Sequence, residues 1–185
     1  MEFKVRAANQ IDHPRYNVYM ICANRGPDGE RTKPAKLALA GQIRSTPWMN
    51  FLNPHVVSPE ATAAFKARWG DSYQQASWDS MNQAELFVGE VSGASDGRGA
   101  EFYYGRYARE ALMFMFRQQG DGDYPSLYKY AADSSPLVHL AHYQDLEDLR
   151  AKYQESIVDL AARRERRWQQ EHKRRFPEYG NKGTY

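Results

Sequence analysis

The sequence predicts an α+β domain in which a small antiparallel sheet from the N-terminal third packs on several helices, with a long basic C-terminal helix. Three observations lead to this prediction. Strand-like apolar patterns dominate the first 45 residues. A helical projection of residues 100–119 gives a wide apolar face. Near the end of the chain, apolar residues recur at spacings of three and four before the sequence turns basic.

The composition fits one packed domain. Of the 185 residues, 42% are apolar and 14% are aromatic, which is enough to build a core. The single cysteine, Cys22, cannot form an internal disulfide, and this is typical of a reducing compartment. The sequence has neither the apolar core of a signal peptide nor an apolar run of about 20 residues. We therefore expect a cytoplasmic protein that has no membrane partner.

Three strands are predicted in the N-terminal third. Residues 3–7 alternate between apolar and charged side chains, residues 16–23 are rich in Val, Ile, Tyr and Met, and residues 36–43 are largely apolar. Turn-forming residues separate them, first Asp12-His13-Pro14 and then Gly26-Pro27-Asp28-Gly29. These turns favour antiparallel pairing of the three strands.

The middle of the chain predicts helices and one strand. Ser58-Pro59-Glu60 supplies a capping residue, a proline and an acid, which together start a helix over 59–69. Residues 85–91 are predicted as a strand. A central helix is expected over 100–119, with Leu112 and Phe116 almost fully buried.

The last predicted helix covers residues 144–176. Its apolar stripe stops near residue 161, so we expect a compact domain over 1–161 and a projecting helix end and tail over 162–185. The stripe consists of Leu146, Leu149, Tyr153, Ile157 and Leu160.

Charge is strongly segregated along the chain. Residues 163–175 hold seven basic residues against two acids, a net +5 within a chain whose net charge is +2. One face of this helix carries cations and no acid, which suits contacts with phosphates or with an acidic protein surface. The face consists of Arg163, Arg166, Arg167, Lys173 and Arg174, and Trp168 is available for stacking.

Three other groups of residues could carry chemistry. Gly97, Arg98 and Gly99 form a possible anion-binding loop before a helix, although the glycine spacing of phosphate and dinucleotide motifs is missing. His139 and His142 have a spacing that metal ligands can use, but a helical corner explains them equally well, so we assign no metal. Cys22 is predicted to be a buried, inert thiol.

One enzymatic pattern is present. Arg6, Ser45-Thr46-Pro47 and Gln83-Ala84-Glu85 resemble, in order and spacing, the Arg, Ser-Thr-Ser and Gln/Glu-x-Glu of ADP-ribosyltransferases. The resemblance implies that the arginine grips a pyrophosphate and that Glu85 stabilises an oxocarbenium-like ribose. Two departures are evident: proline replaces the third serine, and about 100 residues follow where that fold would end.

The sequence therefore leaves three functional interpretations. The first is a non-enzymatic binding or assembly protein that engages nucleic acid or an acidic protein through its basic helix. The second is a structural or inhibitory protein-interaction module, of the kind found among viral or mobile-element accessory proteins. The third is an ADP-ribosyltransferase-like enzyme. No cofactor is assigned, and an oligomer is compatible with all three.

Overall fold

The computed structural model describes residues 15–22, 26–57, 59–93 and 96–175. The strand predicted over 3–7 lies outside them. The described strands are β1 Tyr16–Ile21, β2 Met49–Phe51, β3 Leu86–Glu90, β4 Leu112–Gln118 and β5 Val138–Tyr143. The α-helices are α1 Gly26–Arg31, α2 Lys33–Ser45, α3 Pro59–Trp69, α4 Tyr73–Gln83, α5 Asp96–Tyr103, α6 Ser126–Asp133 and α7 Leu146–Arg175.

The five strands form one all-parallel sheet in the order β2-β1-β3-β4-β5. The predicted small antiparallel sheet, and with it the α+β class, is therefore wrong: the chain is an α/β protein. Parallel neighbours need crossover connections, and helices provide them between successive strands. None of the helices in the described ranges combines the length and the apolar character that a membrane span requires.

Helices cover both faces of the sheet. Alternate strand residues point to opposite sides, so Val18 and Met20 face the layer formed by α2 and α7, while Tyr19 and Ile21 face the other layer. That second layer contains α4, α5 and α6. Because both faces are buried, the central strands are almost continuously apolar, as is typical of parallel sheets.

Two predicted elements have the wrong secondary structure. Residues 36–43 belong to helix α2, whose buried face contains Leu39, Ala40 and Ile43 at helical spacing. The predicted helix over 100–119 is split. Helix α5 and a π-helical turn end at Ala108, and β4 follows. The apolar run of β4 resembles that of a buried helix because a strand covered on both faces is apolar at every position.

Between the π-helical turn and β4, Glu110 has a φ of 51°, in the left-handed region, where the chain reverses into β4. Phe116 is buried as predicted, whereas Leu112, at the start of β4, is only half-buried. The other predicted elements agree with the structure: residues 59–69 form α3, and β3 lies within 85–91.

Helix α7 packs its apolar stripe on the sheet. Leu149, Tyr153, Ile157 and Leu160 are buried beside α2 and the sheet residues of that layer. The helix then continues to Arg175, about four turns past Leu160. The boundary predicted after residue 161 stays a prediction.

Replacing Leu149 with Ala tests the packing of α7. Leu149 is fully buried, so Leu149→Ala should lower the free energy of unfolding by about 2–5 kcal/mol. Val158 lies on the same helix with 69% of its surface exposed, and Val158→Ala should change the free energy of unfolding by less than about 0.5 kcal/mol. Urea denaturation followed by circular dichroism measures both. Equal effects for the two substitutions would show that α7 does not pack on the sheet.

Candidate functional site

The sheet has a topological switch point between β1 and β3. After β1 the chain enters α1 and α2, and α2 packs on one face, whereas after β3 it enters α5 on the other face. Neighbouring strands whose connections leave in opposite directions open a crevice at their carboxyl ends, where α/β proteins bind ligands. A cavity of about 590 Å³ lies here, a size suited to a small molecule.

The outer wall of the cavity is formed by α3 and α4. Between β2 and α3, the short 3₁₀ helix Pro54–Val57 is held by Asn53, whose side chain exchanges two hydrogen bonds with the backbone of Met20 (2.8 and 2.9 Å). Helix α3 packs on this segment and on α4, and none of its described side chains is buried. Helix α3 is therefore held by its contacts with this segment and with α4.

A carboxyl group lies at the inner end of the cavity. Glu101, on α5, lines the cavity, and its Oε1 accepts a hydrogen bond from the Tyr19 hydroxyl at 3.1 Å. Burial raises the pKa of Glu101 to about 7, while the Tyr19 hydrogen bond and the positive charge of Arg98 oppose the rise. A carboxyl with this pKa exists in both protonation states near neutral pH, as acid–base and nucleophilic catalysis require.

Aromatic rings line the outer part of the cavity. The rings of His55 and Phe65 are stacked at 3.7 Å and are nearly parallel, with an interplanar angle of 9°. Burial lowers the pKa of His55, so its ring is neutral at pH 7. Trp78, on α4, also lines the cavity and keeps 47% of its surface exposed. These surfaces suit a planar ring in a ligand.

Three lysines line the cavity: Lys33 and Lys36 on α2, and Lys66 on α3. Lys36 is only 5% exposed, and Lys33 lies 3.8 Å from the carboxylate of Glu30, which also lines the cavity. The cavity therefore offers a carboxyl group, flat aromatic surfaces and cations.

The loop after β3 is held by a buried network. The Glu90 carboxyl accepts hydrogen bonds from the Tyr143 hydroxyl (2.9 Å) and the Ser92 amide (3.2 Å), and burial raises its pKa. Arg98 donates to the Ser92 carbonyl at 2.6 Å, and Arg117 donates to the Val91 carbonyl at 3.0 Å. Because Arg98 lies on α5 and donates to the carbonyls of Glu90 and Ser92, the network ties this helix, which also carries Glu101, to the end of β3.

Arg98, in the predicted anion loop, therefore has a structural role. Arg98, only 2% exposed, binds carbonyl groups of its own loop. Gly97 and Gly99 lie in the first turn of α5. Anion binding by this loop stays a prediction.

The residues of the predicted basic face lie on α7. Its backbone carries all of them as far as Arg175, and the Arg166 side chain is exposed. The side chains of Arg163, Arg167, Trp168, Lys173 and Arg174 lie outside the described part of the structure. Their role as a binding surface stays a prediction.

His139 and His142 do not form a common site. His139 packs against Phe114 on one face of the sheet, and His142 packs against Tyr124 on the other, because β5 is a strand and the two positions are three apart. Cys22 is buried at the end of β1, and burial raises its pKa to about 12.

The residues that resemble an ADP-ribosyltransferase pattern lie away from the cavity. Ser45 ends α2, Thr46 follows it, and Glu85 precedes β3, so these residues are at the amino edge of the parallel sheet. Glu85 accepts a hydrogen bond from the Asn17 amide at 3.4 Å. Arg6 lies outside the described residues.

Sequence reasoning missed Glu101, Tyr19 and Lys36. One signal for Glu101 was available: an acid soon after a glycine-rich loop that follows a buried strand. In a parallel sheet, that position is at the carboxyl edge. Comparison with models of known protein families finds no match, and comparison with curated proteins finds no similar chain.

Replacing Glu101 with Gln tests whether its pKa is raised. A carboxyl whose pKa rises from 4.5 to about 7 on folding destabilises the folded state as pH increases through that interval. Glu101→Gln should therefore unfold at a higher temperature than the unmodified protein at pH 8. This advantage should shrink at pH 5 by on the order of 2 kcal/mol.

The matched control is Glu155→Gln, at an exposed position on α7. It should leave the pH dependence of the melting temperature unchanged. Parallel pH profiles for the unmodified protein and Glu101→Gln would show that Glu101 has an ordinary pKa.

Proposed function

We propose that this protein is an enzyme that cleaves a glycosidic bond between a sugar and a planar ring, with Glu101 as the catalytic carboxyl. The observation that carries the proposal is the position of Glu101. It lines a ligand-sized cavity at the switch point of a parallel sheet and has a pKa near neutrality. The aromatic surfaces of Trp78 and of the His55–Phe65 stack supply a place for the planar group.

Glycosyl chemistry suits a carboxyl group in this environment. In its ionised form, Glu101 attacks the anomeric carbon, which has oxocarbenium character in the transition state. The bond from that carbon to the planar group breaks, and its electron pair leaves with the planar group, which takes up a proton from solvent water. Water, or the hydroxyl of a second sugar, then attacks the anomeric carbon and displaces Glu101 as the carboxylate, and the attacking oxygen loses its proton to solvent.

Tyr19 supports the carboxylate in this reaction. Its hydroxyl donates to Glu101 and lowers the pKa of that group against the larger effect of burial. Burial raises the pKa of the Tyr19 hydroxyl itself, so it keeps its proton and stays a hydrogen-bond donor throughout the neutral range. Tyr19 thus holds one oxygen of Glu101 and leaves the other for the substrate.

Activity of Glu101→Gln tests the proposal. The substrates are a panel of nucleosides, nucleotides, NAD and aryl glycosides, with release of the planar group followed by chromatography. Glu101→Gln should lower kcat/KM by about 10²–10⁴-fold, because an amide neither attacks carbon nor exchanges the proton. For the unmodified enzyme, kcat/KM should fall as pH drops below about 7, where Glu101 becomes protonated.

Glu85→Gln is the matched control at the opposite edge of the sheet, and it should keep full activity. It also tests the ADP-ribosyltransferase interpretation, in which Glu85 is the essential acid. NAD cleavage that disappears in Glu85→Gln but persists in Glu101→Gln would reverse the assignment.

A second function is proposed for the basic face of α7, namely binding of nucleic acid. The supporting observation is the continuity of α7, which runs to Arg175 although its last stripe residue, Leu160, lies about four turns earlier. Arg166, on this extension, is exposed. A rod with clustered cations suits a phosphate backbone.

Titration with generic duplex and single-stranded oligonucleotides at about 50 and 200 mM salt tests this binding. Replacing Arg163, Arg167 and Arg174 together with Ala should weaken binding. It should also flatten the salt dependence of binding by roughly 0.7–0.9 units for each phosphate that the helix no longer neutralises. Replacing the exposed Arg68, Arg109 and Arg150 together is the control and should change neither. Absence of binding at the lower salt concentration would leave an acidic protein as the partner to be sought.

A further inference from the structure

The side chain of Asn53 continues the pairing of β1 with β2 beyond the end of β2. The register of the two strands pairs Val18 with Phe51, so two residues further on Asn53 stands opposite Met20. In a parallel ladder, the Met20 carbonyl would then accept a hydrogen bond from the amide of the residue after Asn53. That residue is Pro54, which has no N–H to donate. Another donor must therefore serve the Met20 carbonyl.

The Asn53 side-chain amide takes the place of the main chain of β2. Its Oδ1 accepts from the Met20 amide at 2.8 Å, and its Nδ2 donates to the Met20 carbonyl at 2.9 Å. An asparagine amide carries both a donor and an acceptor, as a peptide group does, so one side chain can make both bonds. The main chain is thereby released from the sheet, and it turns into the Pro54–Val57 segment, where the Val56 amide donates to the Asn53 carbonyl at 3.2 Å.

Helix α3 holds the same segment from the other side. The Thr62 hydroxyl donates to the His55 carbonyl at 2.8 Å. Phe65 lies three residues further along α3, on the same face of the helix, and its ring is the one stacked on the His55 ring at 3.7 Å. The main chain that carries His55 is therefore tied to β1 through Asn53 and to α3 through Thr62.

These two anchors determine how the stacked rings are presented to the cavity. His55 and Phe65 both line it, and at an interplanar angle of 9° they form one flat surface. Asn53 is fully buried and is joined to β1, which lies inside the sheet between β2 and β3. A surface that is already ordered costs a ligand less free energy on binding than one that must be ordered first.

We propose that Asn53 and Thr62 are positioning residues that set the orientation of the His55 ring, and with it the flat surface that receives the planar group of the substrate. The identity of that planar group rests on the proposed function. The placement of the His55 ring does not, because it can be measured in the protein without a ligand. The two can therefore be tested separately.

The experiment follows the His55 ring by proton NMR in the protein without a ligand. The ring has two signatures. The ring current of the stacked Phe65 shifts the His55 ring protons upfield, and burial holds the pKa of His55 below its ordinary value. The signal is assigned by its absence from His55→Gln, and Phe65→Leu gives its position without the ring current.

Asn53→Ala should move the His55 signal toward its position in Phe65→Leu and raise the pKa of His55 toward the ordinary value of about 6.5. The reason is that the segment loses both bonds to Met20. Thr62→Val keeps the shape of the side chain, removes the hydroxyl and should change both signatures in the same direction by a smaller amount. Thr62 is only partly buried, so this variant decides the question if Asn53→Ala does not fold.

Tyr124→Phe is the matched control. It also removes a buried side-chain donor to main-chain carbonyls, those of Met115 (2.8 Å) on β4 and Ala141 (2.6 Å) on β5. It should lower the stability of the fold, as the loss of buried hydrogen bonds does, and leave both His55 signatures unchanged. Unchanged signatures in folded Asn53→Ala and Thr62→Val would overturn the positioning role, and so would an equal change in Tyr124→Phe.

A substrate of the proposed reaction adds a kinetic test. Thr62→Val should raise KM by about two- to tenfold, as expected for one lost hydrogen bond, and change kcat little. Thr62 serves here because Asn53 also acts on the Tyr19 hydroxyl, the partner of Glu101. Changed His55 signatures with an unchanged KM would show that the stack does not receive the planar group. If no substrate is cleaved, the proposed function fails, and the NMR measurement still decides whether Asn53 and Thr62 position His55.

Discussion

The position of the candidate site depends on the buried network around Glu90. A parallel sheet covered on both faces leaves its strand ends as the places where polar groups must be satisfied. Here the Glu90 carboxyl, Tyr143 and two buried arginines, Arg98 and Arg117, bind the carboxyl ends of β3, β4 and β5 and the loop between β3 and α5. Each arginine donates to backbone carbonyls at or just beyond the end of β3. Residues 90–92 are therefore tied to α5 through Arg98 and to β4 through Arg117.

The cavity combines groups that prefer different surroundings. Burial favours the neutral form of Glu101, whereas Tyr19 and the charge of Arg98 favour the ionised form. The balance leaves the carboxyl able to change protonation at physiological pH, which neither a fully solvated nor a fully desolvated group can do. Lys36, on α2, lines the same cavity. A titratable carboxyl group and lysine side chains therefore share one small volume.

Local patterns predict much of the secondary structure, but not the order of the strands. Helix α3, strand β3 and the apolar stripe of α7 follow from local sequence patterns alone. The apolar run of β4 carries no period, since both its faces are buried, and the pattern therefore predicts a helix there. The contact between Glu101 and Tyr19 could not be predicted from the sequence for a related reason. The two residues are 82 positions apart, and only the order of the parallel strands brings β1 and β3 together. Residues that meet across a sheet leave no trace in a local pattern.

The weak anchoring of α3 links ligand affinity to the flexibility of the wall. Helix α3, none of whose side chains at 60–69 is buried, can move away from the Pro54–Val57 segment at little cost in apolar contacts, and Gly70, with a φ of 53°, allows the turn that joins it to α4. If only the closed arrangement binds well, the apparent dissociation constant equals the intrinsic one divided by the fraction of time spent closed. Affinity could then evolve through the outward-facing residues of α3, which touch no ligand. Substrate preference and wall stability would be adjusted independently, in different parts of the same helix.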